Sequence, residues 1–170
     1  MALDATIGGA SADTYGTVAE ADAYFLARGV SSWTGTDAAK EAALIKAATY
    51  LDNVYRGRWK GRALTMTQAR AWPRGWVVNA EGYAVDPNTI PTQVKNAQFE
   101  AALLLIGGTS LEATIDRAVK SETVGPISVT YMDGATLEAQ YPQVTNWLSD
   151  LVTGGASVNG STGTMRVVRA

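Results

Sequence analysis

Apolar residues recur every three or four positions in two N-terminal segments, the spacing of helices with one buried face. The motif Thr17-Val18-Ala19-Glu20 is a capping box, in which the Thr17 hydroxyl and the Glu20 carboxylate accept from otherwise unpaired backbone N–H groups. It predicts a helix over residues 17–28, ended by Gly29. A second helix is predicted to begin at Thr36 or Asp37. It is predicted to end at about Tyr55. Its apolar stripe is Leu44, Ala48, Leu51 and Tyr55.

The same spacing predicts helices later in the chain. Ile90-Pro91 begins one of them, because proline is tolerated at the first helical position, and Gly107-Gly108 ends it. Another helix is predicted over residues 142–151. A brief helical piece is predicted over residues 67–71, ended by Trp72-Pro73, since the residue before a proline is pushed out of the helical region. The residues expected on buried faces are Val94, Ala97, Ala101 and Leu104, then Val144, Trp147, Leu148 and Leu151.

The period changes to two around residues 118–131, where apolar and polar residues alternate on both sides of Gly125-Pro126. This alternation predicts one β-hairpin with one buried face and one solvent-exposed face. A hairpin alone is only marginally stable, so we expect it to pack on the helices or to pair with a neighbouring subunit.

Both ends of the chain lack helical periodicity. We predict an extended N-terminal arm over residues 1–16, a helical domain over residues 17–152, and a flexible C-terminal tail rich in glycine and serine over residues 153–170. The fold class is therefore mainly α, a helical bundle with one β-hairpin and two terminal arms. Frayed ends are the alternative interpretation of the arms. The end of the tail is expected to dock on a partner through Met165, Arg166, Val167, Val168 and Arg169.

The composition excludes most catalytic chemistry. The 170-residue chain has no cysteine and no histidine, which removes thiolate zinc sites, disulfides and imidazole bases. Its acidic residues are scattered, and it has neither a phosphate loop nor a calcium loop. We therefore expect a protein that is not an enzyme and that uses no metal ion or cofactor. The sequence contains no segment typical of a secretion signal or a membrane span, so we expect a soluble protein of a cytoplasm-like compartment.

Positive charge is concentrated in residues 51–80, which hold six basic side chains and one acidic one in a chain of net charge −2. Basic and aromatic residues alternate there, and such a pattern can form a nucleic-acid groove. Alternatively, the tryptophans are core residues and the arginines form a solvated rim. The acidic balance of the whole chain favours the second interpretation. The basic block is Arg56, Arg58, Lys60, Arg62, Arg70 and Arg74, interleaved with Tyr55, Trp59, Trp72 and Trp76.

Several segments, taken in order and spacing, resemble one protein family. The most specific are Ala71-Trp72-Pro73-Arg74 and Val124-Gly125-Pro126. Others are Thr14-Tyr15, Glu20-Ala21-Asp22-Ala23-Tyr24-Phe25, Arg28-Gly29-Val30, Ala47-Ala48-Thr49-Tyr50-Leu51-Asp52, Arg58-Trp59-Lys60-Gly61 and Tyr141-Pro142. Over residues 14–151 the chain is similar to the head–tail adaptor, or head-completion, proteins of tailed bacteriophages. One branch of these proteins is often labelled DnaT-like single-stranded-DNA-binding.

The resemblance implies a structural virion protein, a helical subunit of a ring below the portal protein in the neck at the capsid vertex. Such rings typically have twelve copies. The ring would extend the channel through which double-stranded DNA passes without sequence-specific binding, and it would dock a stopper or tail-completion protein. The protein would be made in the host cytoplasm and would contact no membrane, and its C-terminal arm would reach the portal.

A ring requires a heterologous interface, in which each subunit presents two different patches. We expect the hairpin, or the face around Trp72 and Trp76, to supply part of it. We expect the basic block to contact neighbouring subunits or the portal, because a sliding duplex should not be gripped through many phosphates. The alternative function is that of a single-stranded-DNA-binding replication accessory protein. The interface candidates are Trp72, Arg74, Trp76, Val124, Ile127, Val129 and Tyr131.

Overall fold

A computed structural model describes residues 3–111, 121–124, 127–130 and 141–153. These residues form helices and two small antiparallel sheets, which confirms the predicted mainly helical fold with a β-hairpin. In chain order the elements are α1 Val18–Ala27, α2 Asp37–Val54, β1 Arg62–Ala63, β2 Arg74–Gly75, α3 Thr92–Ile106, β3 Ser121–Val124, β4 Ile127–Thr130 and α4 Pro142–Leu148. No helix in the described ranges is long and apolar enough to cross a membrane.

The first two helices begin at the predicted capping residues. The Thr17 hydroxyl accepts from the backbone N–H of Glu20, and the Glu20 carboxylate accepts from the backbone N–H of Thr17 at 2.8 Å. The chain leaves α1 through Gly29, whose φ of +65° suits a residue without a Cβ. Thr36 caps α2 in the same manner, by accepting from the N–H of Ala39. Local sequence therefore sets both helix starts.

The core is built on α3, which packs against both α2 and α4. The predicted stripe of α2 is buried throughout, and on α3 Val94, Ala97 and Ala101 are buried while Leu104 is half-buried. Alanine occupies many of the contact positions, so the two helices can approach closely. The packing thus confirms the buried faces predicted for α2 and, apart from one residue, for α3.

Two helix ends differ slightly from the prediction. Pro91 is the N-cap of α3 rather than its first helical residue. The last helix, α4, ends at Leu148 instead of Leu151, although Leu151 is buried in the core as expected. Trp147 is half-buried at the edge of the core. The other three residues predicted to be buried, Val144, Leu148 and Leu151, are buried.

Residues 3–16 contain no helix or strand, as expected for an arm, but they lie against their own domain. Tyr15 is buried, and its backbone N–H donates to the Oε1 atom of Gln98 on α3 at 3.2 Å. The N–H of Gly16 donates to the same oxygen at 3.1 Å. The described part of the predicted arm therefore packs on its own domain, where Tyr15 is buried and its backbone N–H groups find acceptors.

The helical piece predicted over residues 67–71 is not formed. The chain instead makes an irregular loop between β1 and β2. The amide nitrogen of Gln68 donates to the carbonyl oxygens of Arg70 and Pro73 at 2.8 and 3.0 Å, and its Oε1 accepts from the N–H of Thr65. A side chain that satisfies loop backbone groups in this way offers the chain an alternative to a helical turn.

The predicted hairpin corresponds to β3 and β4, which pair antiparallel with Ser121 opposite Thr130 and Val124 opposite Ile127. The rest of the predicted range, residues 118–120, 125–126 and 131, lies outside the described residues. Tyr131 and the predicted docking peptide Met165, Arg166, Val167, Val168 and Arg169 lie outside the described residues.

Candidate functional site

A short ribbon, formed by β1 and β2, lies in the middle of the basic block. Arg62 pairs with Gly75, and Ala63 pairs with Arg74. Gly61, at φ +67°, precedes β1, and a Cβ placed there would overlap the carbonyl oxygen of Gly75. The close approach of the two strands therefore requires glycine at this position.

Arg74 and Lys60 use their charged groups to hold the backbone of their own domain. The Nε, Nη1 and Nη2 atoms of Arg74 donate to the carbonyl oxygens of Lys60, Ala71 and Gly61 at 2.8, 3.1 and 2.9 Å. Burial lowers the pKa of Arg74, because it removes water from the cation. The Nζ of Lys60 donates to the carbonyl oxygen of Asp150 at 2.7 Å. Both side chains therefore have a structural role.

Arg70 joins the N-terminal segment to α2. Its Nε donates to the carbonyl oxygen of Ala12 at 3.1 Å, and its Nη1 lies 3.4 Å from the carboxylate of Asp52. The Tyr15 hydroxyl donates to the other oxygen of Asp52 and accepts from the N–H of Ala71. Burial raises the pKa of Asp52, against the opposing effect of these partners. Burial, then the negative charge of Asp52, also raises the pKa of Tyr15.

Most aromatic residues of the basic block are core residues. Tyr55, Trp59 and Trp72 are buried, and the rings of Trp59 and Trp72 meet edge to face with their centroids 5.8 Å apart. Trp72 is only 1% exposed. This corrects its prediction as a subunit-interface residue, because its side chain is enclosed by its own domain. The interpretation of the tryptophans as core residues is right for Trp59 and Trp72.

Trp76 is the exception. It directly follows β2, its side chain is 81% exposed, and its φ is +56°. A left-handed backbone is uncommon for a bulky residue and costs roughly 1–2 kcal/mol. The guanidinium of Arg62 lies 5.9 Å from the Trp76 ring centroid, within the range of a cation–π contact. A large aromatic ring is therefore held on the surface beside a cation, in a strained conformation of the kind that clusters at functional sites.

Residues 77–85 continue from the ribbon as an irregular hairpin. The N–H of Asn79 donates to the carbonyl of Tyr83, and the Oδ1 of Asn79 accepts from the N–H of Tyr83 at 2.8 Å. These bonds fix the backbone of Tyr83 while its side chain remains 69% exposed. We call Arg62 and Trp76, which are in contact, the ribbon surface.

The other candidate residues have varied surroundings. Arg56 is exposed, and the guanidinium of Arg58 lies 5.3 Å from the ring centroid of Tyr55. Among the described residues, no group of three or more acidic side chains is placed to hold a metal ion. The hairpin candidates that lie on β3 and β4 are Val124, Ile127 and Val129.

Sequence reasoning did not distinguish the exposed tryptophan from the buried ones. Basic and aromatic residues alternate in both surroundings, so composition alone carries no such information. Burial alternates from Gly75 to Val78, with Gly75 and Val77 buried and Trp76 and Val78 exposed, but none of these four residues is polar, so the alternation leaves no signal in the sequence.

Comparison with known proteins adds a family. A family model described as "Putative DnaT-like ssDNA binding protein" matches residues 1–170. The chain belongs to this family. No curated protein and no solved structure matches the chain. Membership confirms the branch of the resemblance that carries the DnaT-like label, and its description agrees with the alternative function predicted from the sequence. The adaptor role stays a prediction.

Proposed function

We propose that the protein binds single-stranded DNA through the ribbon surface. The observation that carries this proposal is Trp76, whose ring is 81% exposed at a left-handed backbone position with the Arg62 guanidinium beside it. The family description supports the same function.

The chemistry of the ribbon surface suits an unpaired strand. Every base has a π face that stacks on an aromatic side chain, and such stacking is worth roughly 1–3 kcal/mol per base. Trp76 exposes such a ring, and Arg62 beside it supplies a cation for a neighbouring phosphate. Tyr83, seven residues later, exposes a second ring. A duplex hides its base faces, so we expect a preference for single strands.

Electrostatics limits the expected affinity. The chain has net charge −2, and Arg70, Arg74 and Lys60 donate to groups of their own domain. The exposed cations of the block include Arg56 and Arg62. If those two contact phosphates, the logarithm of the affinity should fall with the logarithm of salt concentration at a slope of about −1.4. Stacking therefore has to supply a large share of the binding energy.

Fluorescence anisotropy with a labelled oligothymidylate tests the proposal. We expect Trp76→Ala to weaken binding about tenfold, because a stacking contact is lost, and Trp76→Phe to retain most of it. Leu26→Ala is the matched control, since Leu26 is 82% exposed and lies on α1, away from the ribbon in sequence. Equal affinities of wild type and Trp76→Ala, or no binding by the wild type, would overturn the proposal.

A second candidate is the structural role of a head–tail adaptor, a ring subunit below a phage portal. It is favoured by exposed apolar side chains that DNA binding does not use: Leu64, Met66 and Val78 lie on or near the same ribbon. Clustered exposed apolar residues mark protein–protein contacts. In this role Trp76, Arg74 and the hairpin would contact a neighbouring copy, and the partners would be the portal protein and a stopper or tail-completion protein, with duplex DNA passing through the channel of a virion neck.

Mass photometry and electron microscopy separate the two candidates. The adaptor role predicts closed rings, at high concentration or on addition of portal protein, and Met66→Glu should abolish them by placing a charge in the contact. Leu26→Glu is the matched control, which should leave rings intact. A protein that stays monomeric with portal and binds oligothymidylate supports the first candidate alone.

A further inference from the structure

A recess of about 280 Å³ opens between the end of α2 and the loop that precedes β2. Its charged lining consists of Asp52, Arg56, Arg70 and Arg74. Arg74 lies two residues before Trp76, so the recess adjoins the ribbon surface along the chain. We call it the arginine recess.

Two of its cations are held in place and keep unused donors. A guanidinium has five N–H groups. Arg74 donates three of them to backbone carbonyl oxygens, and Arg70 donates three to a carbonyl, to the Thr49 hydroxyl and to Asp52. Each therefore keeps two N–H groups with no acceptor in the described part of the chain. A pre-positioned guanidinium with free N–H groups is suited to bidentate binding of phosphate oxygens.

Arg56 completes the recess at its rim. It is exposed, and it has no ion pair or side-chain hydrogen bond with any residue in the described ranges. Trp59 forms part of the wall, and its buried indole N–H likewise has no acceptor there. Arg56 can therefore turn toward a ligand without breaking an existing contact.

Asp52 does not exclude an anion from the recess. One carboxylate oxygen accepts from the Tyr15 hydroxyl and the other from Arg70. Its negative charge is thus directed at partners that are already in place. Three guanidinium groups and one carboxylate give the lining a net charge of +2.

We propose that the arginine recess binds a phosphate monoester, the terminal phosphate of a DNA strand whose bases stack on the ribbon surface. A monoester carries a charge of about −1.5 to −2 at pH 7, which matches the lining, whereas an internal phosphodiester carries only one negative charge. The assignment of the phosphate to a DNA strand end rests on the proposed function. The binding of a phosphate group in the recess does not, because it depends only on the residues that line the recess.

Nuclear magnetic resonance of the full chain tests the recess directly. The indole N–H signals of the five tryptophans are few enough to follow singly. Titration with inorganic phosphate should shift the Trp59 signal, with saturation below about 10 mM. The Trp33 indole, which donates to Asp22, is the internal control and should not move. Sodium chloride at equal ionic strength separates binding from screening. An unchanged Trp59 signal would overturn the recess as a phosphate site.

Oligonucleotides identify the source of the phosphate. We expect oligothymidylate with a 5′- or 3′-terminal phosphate to bind about tenfold more tightly than the same strand with hydroxyl ends. Arg56→Gln should remove most of this ratio. Lys46→Gln, which also deletes one exposed positive charge near α2's midpoint, is the matched control and should preserve it.

The outcomes separate the two proposals. Equal affinity for phosphorylated and unphosphorylated strands, with Trp76→Ala still weakening both, would overturn the strand-end assignment and leave the proposed function intact. A saturating Trp59 shift without binding of any oligonucleotide would support the phosphate site and overturn the proposed function.

Discussion

The Oε1 atom of Gln98 lies 3.2 Å from the backbone nitrogen of Tyr15, 83 residues earlier in the chain. The other end of the same amide donates to the carbonyl oxygen of Leu44 on α2 at 2.9 Å. One fully buried side chain on α3 thereby joins the N-terminal segment to two helices. Buried polar groups stabilise a fold only when all their partners are present, so the contact can be tested by removing one of them.

We expect Gln98→Ala to lower the free energy of unfolding by about 3 kcal/mol, because it leaves the backbone N–H groups of Tyr15 and Gly16 unpaired and opens a cavity in the core. Urea denaturation measures the change. Gln93→Ala, at a half-buried position of the same helix, is the control and should change stability by less than about 0.5 kcal/mol. Equal midpoints for the two variants would show that the N-terminal segment is not held by Gln98.

The ribbon should depend on Gly61. Gly61→Ala places a Cβ against the carbonyl oxygen of Gly75 at a positive φ, so we expect a loss of about 3 kcal/mol and of DNA binding. Gly57→Ala also has a positive φ, but a Cβ there meets nothing within 4 Å. It should cost only about 1 kcal/mol and leave binding unchanged. Thermal unfolding and anisotropy measure both variants, and similar losses in the two would contradict the close strand contact.

The strained backbone conformation of Trp76 should lower the stability of the fold, while the exposed side chain serves DNA binding. Trp76→Gly should be more stable than Trp76→Ala by about 1 kcal/mol, because glycine adopts the φ of +56° without strain. Both variants should lose DNA binding alike. The same comparison at Tyr83, which does not have a positive φ, provides the control and should favour alanine slightly. Chemical denaturation measures the free energy of unfolding of each variant. Equal values for Trp76→Gly and Trp76→Ala would show that the position is unstrained.

An ion pair on α1 gives a pH-dependent prediction. Asp22 accepts from the Nζ of Lys40 at 2.8 Å and from the indole N–H of Trp33 at 2.6 Å. The bond from Lys40 lowers the pKa of Asp22 below its ordinary value of 3.8. Ionised Asp22 therefore stabilises the fold above the ordinary pKa, and this stabilisation is lost as the pH falls through the lowered one.

We expect Asp22→Asn to cost about 0.5–1 kcal/mol at pH 7, since the carboxylate is 46% exposed and water screens the pair. The cost should shrink as the pH falls below 3.8 and through the lowered pKa of Asp22, because the carboxylate of the wild type then becomes protonated. Urea denaturation over a series of pH values measures it. Glu81→Gln, at an exposed position without an ion pair in the described ranges, should show no such pH dependence. If Asp22→Asn still lowers stability at low pH, then packing of the side chain, and not its charge, stabilises the contact between α1 and α2.

Local signals in the sequence predicted the helices well. The capping residues Thr17 and Thr36 lie within a few residues of the groups they satisfy, so their effect can be read without knowledge of the fold. The error at residues 67–71 has the opposite origin. There Gln68 satisfies backbone groups of a loop whose two ends are joined by the pairing of β1 with β2, which is not visible in the local sequence.

The candidate site was predicted in composition but not in arrangement. The sequence located a block of cations and aromatic rings, and two of its tryptophans are core residues as expected. It did not show that Arg70 and Arg74 turn inward to backbone carbonyls, because their acceptors lie in segments that only folding brings near. The arginine recess could not be predicted for the same reason, because its lining residues come from separate segments of the chain.

The sequence by itself determined the mainly helical class, the helix starts and buried faces, the hairpin and the absence of cysteine and histidine chemistry. Each of these depends on residue type or on neighbours within a turn or two. Only the tertiary structure decided that the N-terminal segment packs on the core. It also decided that Trp76 alone among the aromatic residues of the basic block is exposed to solvent. Those outcomes depend on burial, which long-range packing sets once the whole chain has found its partners.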